Sequence, residues 1–570
     1  MNSRRRLSRN DYLIGLAIAF AYVVWLLMTA RTLGFSRDEG FYFNAASHYA
    51  RWFTVLFESP SKAFERSVID SAWAANHEHP SLMKSLFSLS WMFFHQKWHL
   101  FTDASTAYRF PGKVMMGVAL FTTYLFGTRI YSRTAGIFAA LMLGLMPRIF
   151  YHAHLACFDV PIMAMWTACI YVYWRATVEG GFGWAIASGV MYGLTLETKH
   201  NAWMLPAVFV VHAIVTGREG IAKEIKRGAV PVPASLLAMA TIGPLVFLSL
   251  WPWLWNDTLP RLQEYVNFHV NHEYYNIEFL GKNYFGPPSP KGYMPFMILA
   301  TVPTVTIVMC LVGLASRARV AIDRVRIALA SLLKRPAMAE GAVVHEKDEG
   351  ESDLLLFLSF AVPLSVFLLP RTPIFGGTKH WIPAYPFLCV SAGRGVAMVI
   401  DTMKSTIVPR IRSIHADKIV TAAVAVCVLA APLLVTMHSH PFGLSSYVPL
   451  VGGTQGGADI GLNRQFWGFT TQSLAPYFAE NAPKGASVYI MDTAWDSWVR
   501  MIDEKRLRPD LRGVGSPSEA DISIVHHELH MGEVDDNIWV EYGHVNPDYV
   551  LTHDGVPIIS VYKRTTPKRR

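Results

Sequence analysis

Long apolar runs alternate with short polar segments over the first three quarters of the chain. Five runs are nearly free of charge and long enough to cross about 30 Å of hydrocarbon as helices, and they cover residues 13–30, 230–255, 293–316, 354–370 and 419–437. Six shorter runs would need neighbouring helices to shield their ends, and they cover residues 114–128, 134–147, 160–174, 182–196, 202–215 and 381–393. The pattern therefore predicts a polytopic α-helical membrane protein with about eleven transmembrane helices.

Basic residues between these runs predict the topology. Lys and Arg cluster in alternate connections, which are Arg4–Arg9, Arg129 with Arg133, Arg175, and residues 218–227, 317–335 and 404–418. Because cytoplasmic loops carry an excess of Lys and Arg, we expect all of these on the inner side. This orientation predicts a multi-pass inner (cell) membrane protein with a cytoplasmic N-terminus, a retained signal anchor and a C-terminus outside.

Three predicted outer segments are longer than a turn: residues 31–113, 256–292 and everything after His438. The composition after His438 changes to that of a soluble domain, with a predicted helix at 465–480 and predicted strands at 486–491, 522–525, 549–552 and 558–562. We predict a transmembrane domain over residues 1–437, whose first outer loop (31–113) carries interfacial helices, and a small outer α/β domain over 438–570.

Composition supports a membrane protein. The 570 residues are 52% hydrophobic and 16% charged, with a mean hydropathy of +0.27, which is too apolar for a soluble multidomain enzyme. The net charge of +9 lies between apolar runs and not on one soluble surface, so it does not indicate a nucleic-acid partner. All five cysteines lie in or beside apolar runs, and no disulfide framework is implied.

Charged residues at the outer ends of the runs are the candidates for chemistry. Asp38 and Glu39 follow the first run, either as functional carboxylates or as a solvated helix end paired with Arg37. His79 and Lys84 begin an apolar stretch too short to span, and at headgroup depth Lys84 would meet a lipid phosphate or simply snorkel.

Further basic residues face the same predicted side, together with Asp159. They break the inward bias of Lys and Arg, so neutralising phosphate is the function we expect of them. They are Arg109, Arg148, Lys199, Lys379 and His380.

Histidines raise the question of a metal. His269 and His272 stand three residues apart, a spacing that can place two imidazoles on one helical face. Without a third fixed ligand nearby, hydrogen-bonding histidines are the better interpretation, so we predict no metal ligands and no cofactor and keep a divalent metal as the weaker alternative.

The motifs, taken in order, resemble a known family. Asp38-Glu39, His79-Pro80-x-Leu82-x-Lys84, Arg109, Asp159, Thr198-Lys199 and Thr378-Lys379-His380 with Pro383 resemble the GT-C glycosyltransferases of the protein O-mannosyltransferase and lipid A aminoarabinose transferase type. The resemblance covers about residues 10–400. Ser81 stands where the mannosyltransferases have proline, and His79 where the aminoarabinose enzymes carry lysine.

This resemblance implies a hexosyl- or pentosyltransferase with a polyprenyl-phosphate-linked sugar donor, working among membrane lipids on the outer face. The acceptor would be a hydroxyl of lipid A or lipopolysaccharide, of another cell-envelope glycan, or of a protein. It implies Asp38 as the general base of an inverting transfer, with Glu39 and Asp159 orienting groups around it. The implied donor phosphate-binding residues are His79, Lys84, Arg109, Lys199, Lys379 and His380.

A transporter or lipid flippase is the alternative. Its polar residues should lie near the bilayer midplane in broken helices. Here they cluster at one predicted surface, which favours the transferase.

Overall fold

The computed structural model describes residues 6–225, 232–333, 335–344, 347–374, 376–411 and 413–565. Most of these residues are helical. The helices in the first half are α1 (Arg9–Met28), α2 (Arg37–Glu58), α3 (Pro60–Ala63), α4 (Arg66–Trp73), α5 (Leu82–Ser90), α6 (Ala104–Ile130), α7 (Arg133–Gly144), α8 (Pro147–Ala153), α9 (Asp159–Glu179), α10 (Phe182–Leu196), α11 (Leu205–Ile225) and α12 (Ala234–Leu250).

The second half adds further helices and all the strands. The helices are α13 (Thr258–Val270), α14 (Tyr293–Thr301), α15 (Thr304–Leu332), α16 (Lys347–Ser365), α17 (Tyr385–Ile407), α18 (Ala416–Ser439), α19 (Gly453–Asp459), α20 (Ala475–Asn481), α21 (Trp495–Asp503) and α22 (Gly532–Tyr542). The strands are β1 (Ile277–Phe279), β2 (Lys282–Tyr284), β3 (Ser487–Ile490), β4 (Arg512–Val514), β5 (Ile522–His526), β6 (Tyr549–His553) and β7 (Val556–Lys563).

Several helices are long and apolar enough to cross a membrane. Among the described residues there are five, or six if α7 and α8, bent by 73°, form one broken span. Their bounds are Arg9–Met28, His200–Gly217, Thr304–Ile327, Ile382–Arg410 and Ala416–Ser439. A helical, multi-pass membrane protein is thus confirmed.

Helices also lie at all eleven predicted segments, but several are short, so the count of eleven and the orientation stay predictions. Of the basic residues used to predict the topology, Arg4, Arg5, Lys226, Arg227, Lys334 and Arg412 lie outside the described residues.

Glycines let α15 and α17 approach each other closely. A Cβ on Gly313 would lie 1.9 Å from the carbonyl oxygen of Ser391, and one on Gly395 would lie 2.0 Å from that of Met309. The two helices therefore touch backbone to backbone, as small residues permit in membrane bundles.

The sequence suggested that the polar segment after α1 is the end of the first span. In the structure this segment instead begins a separate helix, α2. Asp38 and Glu39 lie in the first turn of α2. Ser36 is the N-cap residue of this helix, and the Glu39 side chain three residues later accepts the Ser36 backbone N–H at 3.0 Å, as in a capping box. The capping geometry fixes where α2 begins and therefore the positions of Asp38 and Glu39 in its first turn.

The chain after α18 forms a five-stranded sheet in the order β4-β3-β5-β7-β6. Strands β4, β3 and β5 are parallel, β7 runs antiparallel to β5, and β6 runs antiparallel to β7 and so in the same direction as the first three. Four of the strands match the predicted ones, but the sequence missed the three-residue β4 and the helices α19, α21 and α22.

The predicted helix at 465–480 begins later in the structure, with a 3₁₀ turn at Phe469–Leu474 followed by α20. The reason is Gly468, whose φ of +65° and close approach to the Asp492 carbonyl interrupt any earlier helix.

The sheet packs on the helical part through a shared apolar core. Leu33, Phe35 and Phe43 from the segment after α1 lie in one cluster with Val488 and Ile522 from the sheet. This contact places the C-terminal sheet over one end of the helix bundle.

Candidate functional site

A cavity of about 1140 Å³ lies between the helix bundle and the C-terminal sheet. Its walls come from α2, the 75–79 segment, the start of α9, α13, the 372–380 segment and the C-terminal domain. Of the residues predicted for the site, those lining the cavity are Asp38, His79, Asp159, Lys199, Lys379 and His380.

Asp38 is the accessible carboxylate of this group. Its side chain is 26% exposed, and its Oδ2 lies 3.4 Å from Lys379 Nζ. The same ammonium lies 4.1 Å from the centre of the Trp467 ring, whose electron-rich face attracts a cation. Asp38 is therefore solvent-accessible while a cation is held beside it.

Asp159 is bound in a tighter network. Its Oδ1 accepts a hydrogen bond from Lys199 Nζ at 2.7 Å, and its Oδ2 lies 3.7 Å from His152 Nδ1. The Asp159 side chain is only 5% exposed. Because it is nearly buried and paired with the Lys199 ammonium, Asp159 is suited to orienting Lys199 and not to taking a proton.

Glu39 and Arg109 do not line the cavity. Their side chains are fully buried, and Arg109 Nε and Nη2 donate to Glu39 Oε1 and Oε2 at 2.7 and 2.8 Å. The other donors of Arg109 bond the carbonyl oxygens of Ala30, Leu33 and Gly34.

All five N–H donors of the Arg109 guanidinium are thus engaged by the protein. The phosphate-binding role predicted for Arg109 does not fit this geometry. Glu39 Oε1 also accepts the backbone N–H of Ala156 at 2.9 Å, so the pair joins α2 to the segment before α9. The pair supports the site from behind.

Lys84 is also buried behind the cavity wall. Its Nζ donates to the carbonyl oxygens of Asn76 and His79, the latter at 2.9 Å. Burial lowers the pKa of Lys84 to about 7. From this position Lys84 does not reach the cavity, so the predicted contact with a donor phosphate does not fit. Lys84 instead fixes the 76–79 segment, which lines the cavity.

Imidazole rings form one wall of the cavity. The rings of His200 and His269 stack with centroids 4.0 Å apart, and His79 lies 5.5 Å from His269. His269 Nε2 lies 2.9 Å from the Glu78 carbonyl oxygen, while His272 Nδ1 is near the Glu273 carbonyl. Burial lowers the pKa of His79 well below its usual value, so this ring is neutral at pH 7.

Arg148 belongs to the basic set expected to neutralise phosphate, although the family resemblance did not imply it as a donor ligand, and it lines the cavity from α8. It is 4% exposed, and its guanidinium lies 5.1 Å from the Tyr447 ring centre. Its Nε and Nη2 have no hydrogen-bond partner within the described part of the chain. Because burying an unpaired cation costs several kcal/mol, this guanidinium is suited to an anionic ligand.

The C-terminal domain contributes acidic residues that the sequence did not single out. Asp492 and Glu528 line the cavity, and Asp492 Oδ1 lies 3.2 Å from Arg37 Nη1. Burial, reinforced by the neighbouring Asp492 carboxylate, raises the pKa of Glu528 well above its usual value. Asp492 follows β3 and Glu528 follows β5. Their spacing in the sequence does not indicate that they share a site.

Residues 90–247 match the family model of the dolichyl-phosphate-mannose-protein mannosyltransferases. The resemblance to this family is confirmed. The segment matched to the mannosyltransferase model contains Arg109, Arg148, Asp159 and Lys199. None of the curated protein sequences matches this chain at a significant level.

Solved structures are similar over most of the chain. ArnT from Cupriavidus metallidurans bound to undecaprenyl phosphate shares 14% identity at a TM-score of 0.44, covering 97% of this chain and 98% of that one. The archaeal oligosaccharyltransferase AglB from Archaeoglobus fulgidus, in complex with an inhibitory peptide and a dolichol-phosphate, shares 9% identity at a TM-score of 0.46, covering 94% and 72%.

Proposed function

We propose that this protein is an inverting membrane glycosyltransferase that moves a sugar from a polyprenyl-phosphate donor to an acceptor hydroxyl. The observation that carries the proposal is one cavity holding the accessible carboxylate Asp38 beside Lys379, with Arg148 and the Lys199–Asp159 pair in its walls. The match of residues 90–247 to the mannosyltransferase model supports the same reaction class.

The reaction needs one base and several cations. The acceptor oxygen attacks the anomeric carbon as Asp38 takes its proton, and the bond from that carbon to the phosphate oxygen breaks with its electron pair. The polyprenyl phosphate leaves as an anion, so it needs no general acid, unlike the alcohol released in glycoside hydrolysis. Direct displacement inverts the anomeric configuration.

Exposure and pairing single out Asp38 as the base. Glu39 is fully buried against Arg109, and Asp159 is nearly buried and accepts a hydrogen bond from Lys199. Asp38 alone among these three carboxylates is more than a tenth exposed. An acceptor hydroxyl can therefore reach it.

Arg148 and Lys379 are the proposed phosphate ligands that act most directly. Arg148 has unpaired N–H donors, and Lys379 has its ammonium at the cavity wall. In a cavity screened from bulk water, these contacts stabilise developing negative charge more strongly than they would in solution. Lys199, His79 and His380 complete the proposed donor site, whereas Lys84 and Arg109 hold its framework.

The donor and the membrane set the proposed location. A polyprenyl tail partitions into hydrocarbon, so the sugar phosphate would enter the cavity at headgroup level. We propose that this is the outer face of the inner membrane, with the C-terminal domain outside and the N-terminus in the cytoplasm. The proposed acceptor is a hydroxyl of lipid A, an envelope glycan or a protein.

The test uses the full chain reconstituted in liposomes with a radiolabelled polyprenyl-phosphate sugar and envelope acceptors. Asp38→Asn should lower transfer by roughly 10²- to 10⁴-fold because it removes the base. The matched control is Asp417→Asn, since Asp417 is an exposed carboxylate in the first turn of α18. Full activity of Asp38→Asn would refute the proposal.

Arg148→Gln tests the phosphate site in the same assay. We expect a raised KM for the donor, because one buried cation facing the phosphate is lost. Movement of intact donor across the bilayer by the wild-type protein, with no sugar released, would favour a flippase instead.

A further inference from the structure

Three potential metal ligands lie together outside the cavity: His438, His553 and Asp554. The first is in the last turn of α18, and the other two lie at the turn between β6 and β7. We propose that these side chains bind a divalent transition metal, Zn²⁺, that fastens the C-terminal sheet to the last helix of the bundle.

The ligand atoms are close to the arrangement that zinc requires. They all lie within 4.8 Å of one another. Asp554 Oδ1 is 2.7 Å from His438 Nε2, and Asp554 Oδ2 is 3.7 Å from His553 Nε2. Tetrahedral bonds of about 2.0–2.1 Å would place neighbouring ligands about 3.3 Å apart, so shifts of less than about 1 Å complete the site. Water would supply the fourth ligand.

Neighbouring groups hold the carboxylate in place. Thr454 Oγ1 donates to Asp554 Oδ2 at 2.9 Å, and Gln455 Nε2 donates to the Asp554 carbonyl at 2.8 Å. The turn itself is fixed by left-handed backbone at Asp554 and Gly555, with φ of 51° and 76°. Such support behind a metal ligand is typical of real sites.

An ion pair between His438 and Asp554 does not by itself explain the position of His553. An ion pair between His438 and Asp554 needs one imidazole, yet a second ring approaches the other carboxylate oxygen. The His553 ring faces both other candidate ligands, with its centroid 5.6 Å from that of His438 and its Nε2 3.7 Å from Asp554 Oδ2. Ser446 Oγ lies 3.0 Å from His553 Nε2, so it stabilises the ring before zinc replaces it.

A metal here would act on the cavity through the domain it holds. The C-terminal domain contributes Trp467, Asp492 and Glu528 to the cavity wall. Binding only to the docked arrangement, zinc would stabilise it by mass action. The role is structural, and its failure would leave the proposed transferase function unaffected.

The test measures zinc on the full chain in detergent, purified with a tag free of histidine and stripped with a chelator. After equilibration with Zn²⁺ and desalting, wild type should retain one more equivalent of zinc than His438→Ala. Substituting a residue that supports a metal ligand lowers metal affinity by roughly 10- to 100-fold. His438→Ala removes a ligand itself, so we expect its zinc affinity to fall by at least this factor. His438 is exposed, so the substitution should leave the fold intact.

His415→Ala is the matched control, because His415 is an exposed histidine at the opposite end of the same helix. It should retain zinc like wild type, and added zinc should raise the Tm of both proteins but not that of His438→Ala. Equal zinc content and equal zinc-dependent Tm in wild type and His438→Ala would overturn the proposal.

Cobalt offers a second measurement that does not depend on the variant folding. Co²⁺ in a tetrahedral site of the wild-type protein should give visible absorption bands that an excess of Zn²⁺ removes. Absence of these bands would likewise overturn the proposal.

Discussion

Replacing Arg109 with methionine should destabilise the protein strongly. The substitution leaves Glu39 fully buried without its partner and removes the hydrogen bonds to the carbonyls of Ala30, Leu33 and Gly34. Breaking a buried ion pair by removing one partner costs about 3–5 kcal/mol. We expect a loss of this size, and an unfolding temperature lower by several degrees.

The assay is thermal unfolding of detergent-purified protein at one fixed scan rate, because large membrane proteins unfold irreversibly. Arg66→Met is the control, since the Arg66 ion pair with Asp70 is exposed and such pairs contribute about 0–1 kcal/mol. The double variant Glu39→Gln/Arg109→Met should lose less than the sum of the two single variants.

Catalysis separates the structural role of Arg109 from the role predicted from the sequence. If Arg109 bound the donor phosphate, Arg109→Met would raise the KM for the donor at unchanged stability. The structure predicts the reverse, a lower Tm with a nearly unchanged KM at low temperature. A stable Arg109→Met protein with weakened donor binding would refute the assignment.

Two further predictions concern stability. Burial raises the pKa of Glu197 to about 8, so the folded state keeps a proton that the unfolded state loses above about pH 4.5, and the contribution of Glu197 to stability falls as pH rises from 5 to 7, whereas buried histidines such as His79, whose pKa is lowered, contribute with the opposite sign. Glu197→Gln should therefore make the change in Tm from pH 5 to pH 6 more positive than in wild type, because Lys84, with a pKa lowered to about 7, stays largely charged up to about pH 6; the same change in Tm in both proteins would contradict this prediction. Gly313→Ala should cost about 1–3 kcal/mol by forcing α15 and α17 apart. Gly183→Ala, in open space on α10, should be neutral or stabilising, and equal Tm values for the two variants would show that the close helix contact is unimportant.

Helix packing decided which of the predicted site residues line the cavity and which are buried behind it. Asp38, Asp159, Lys199 and Lys379 lie up to about 340 positions apart, yet all four line one cavity. Glu39 follows Asp38 directly but points away from the cavity, because successive residues on a helix point about 100° apart. The sequence shows the chemical types of these residues but not which side of α2 faces the cavity.

The membrane character, the helical segments and most strands followed from the sequence alone, because apolar run length and period are local properties that the bilayer and the sheet select directly. Tertiary structure alone decided that Arg109 and Lys84 support the cavity from behind, and that Arg148 lines it with Nε and Nη2 unbonded within the described part of the chain. It also brought Asp492 and Glu528 to the cavity, because the C-terminal sheet docks through a core shared with residues near α2. Burial and pairing depend on contacts between distant segments, which no local pattern of hydrophobic and polar residues encodes.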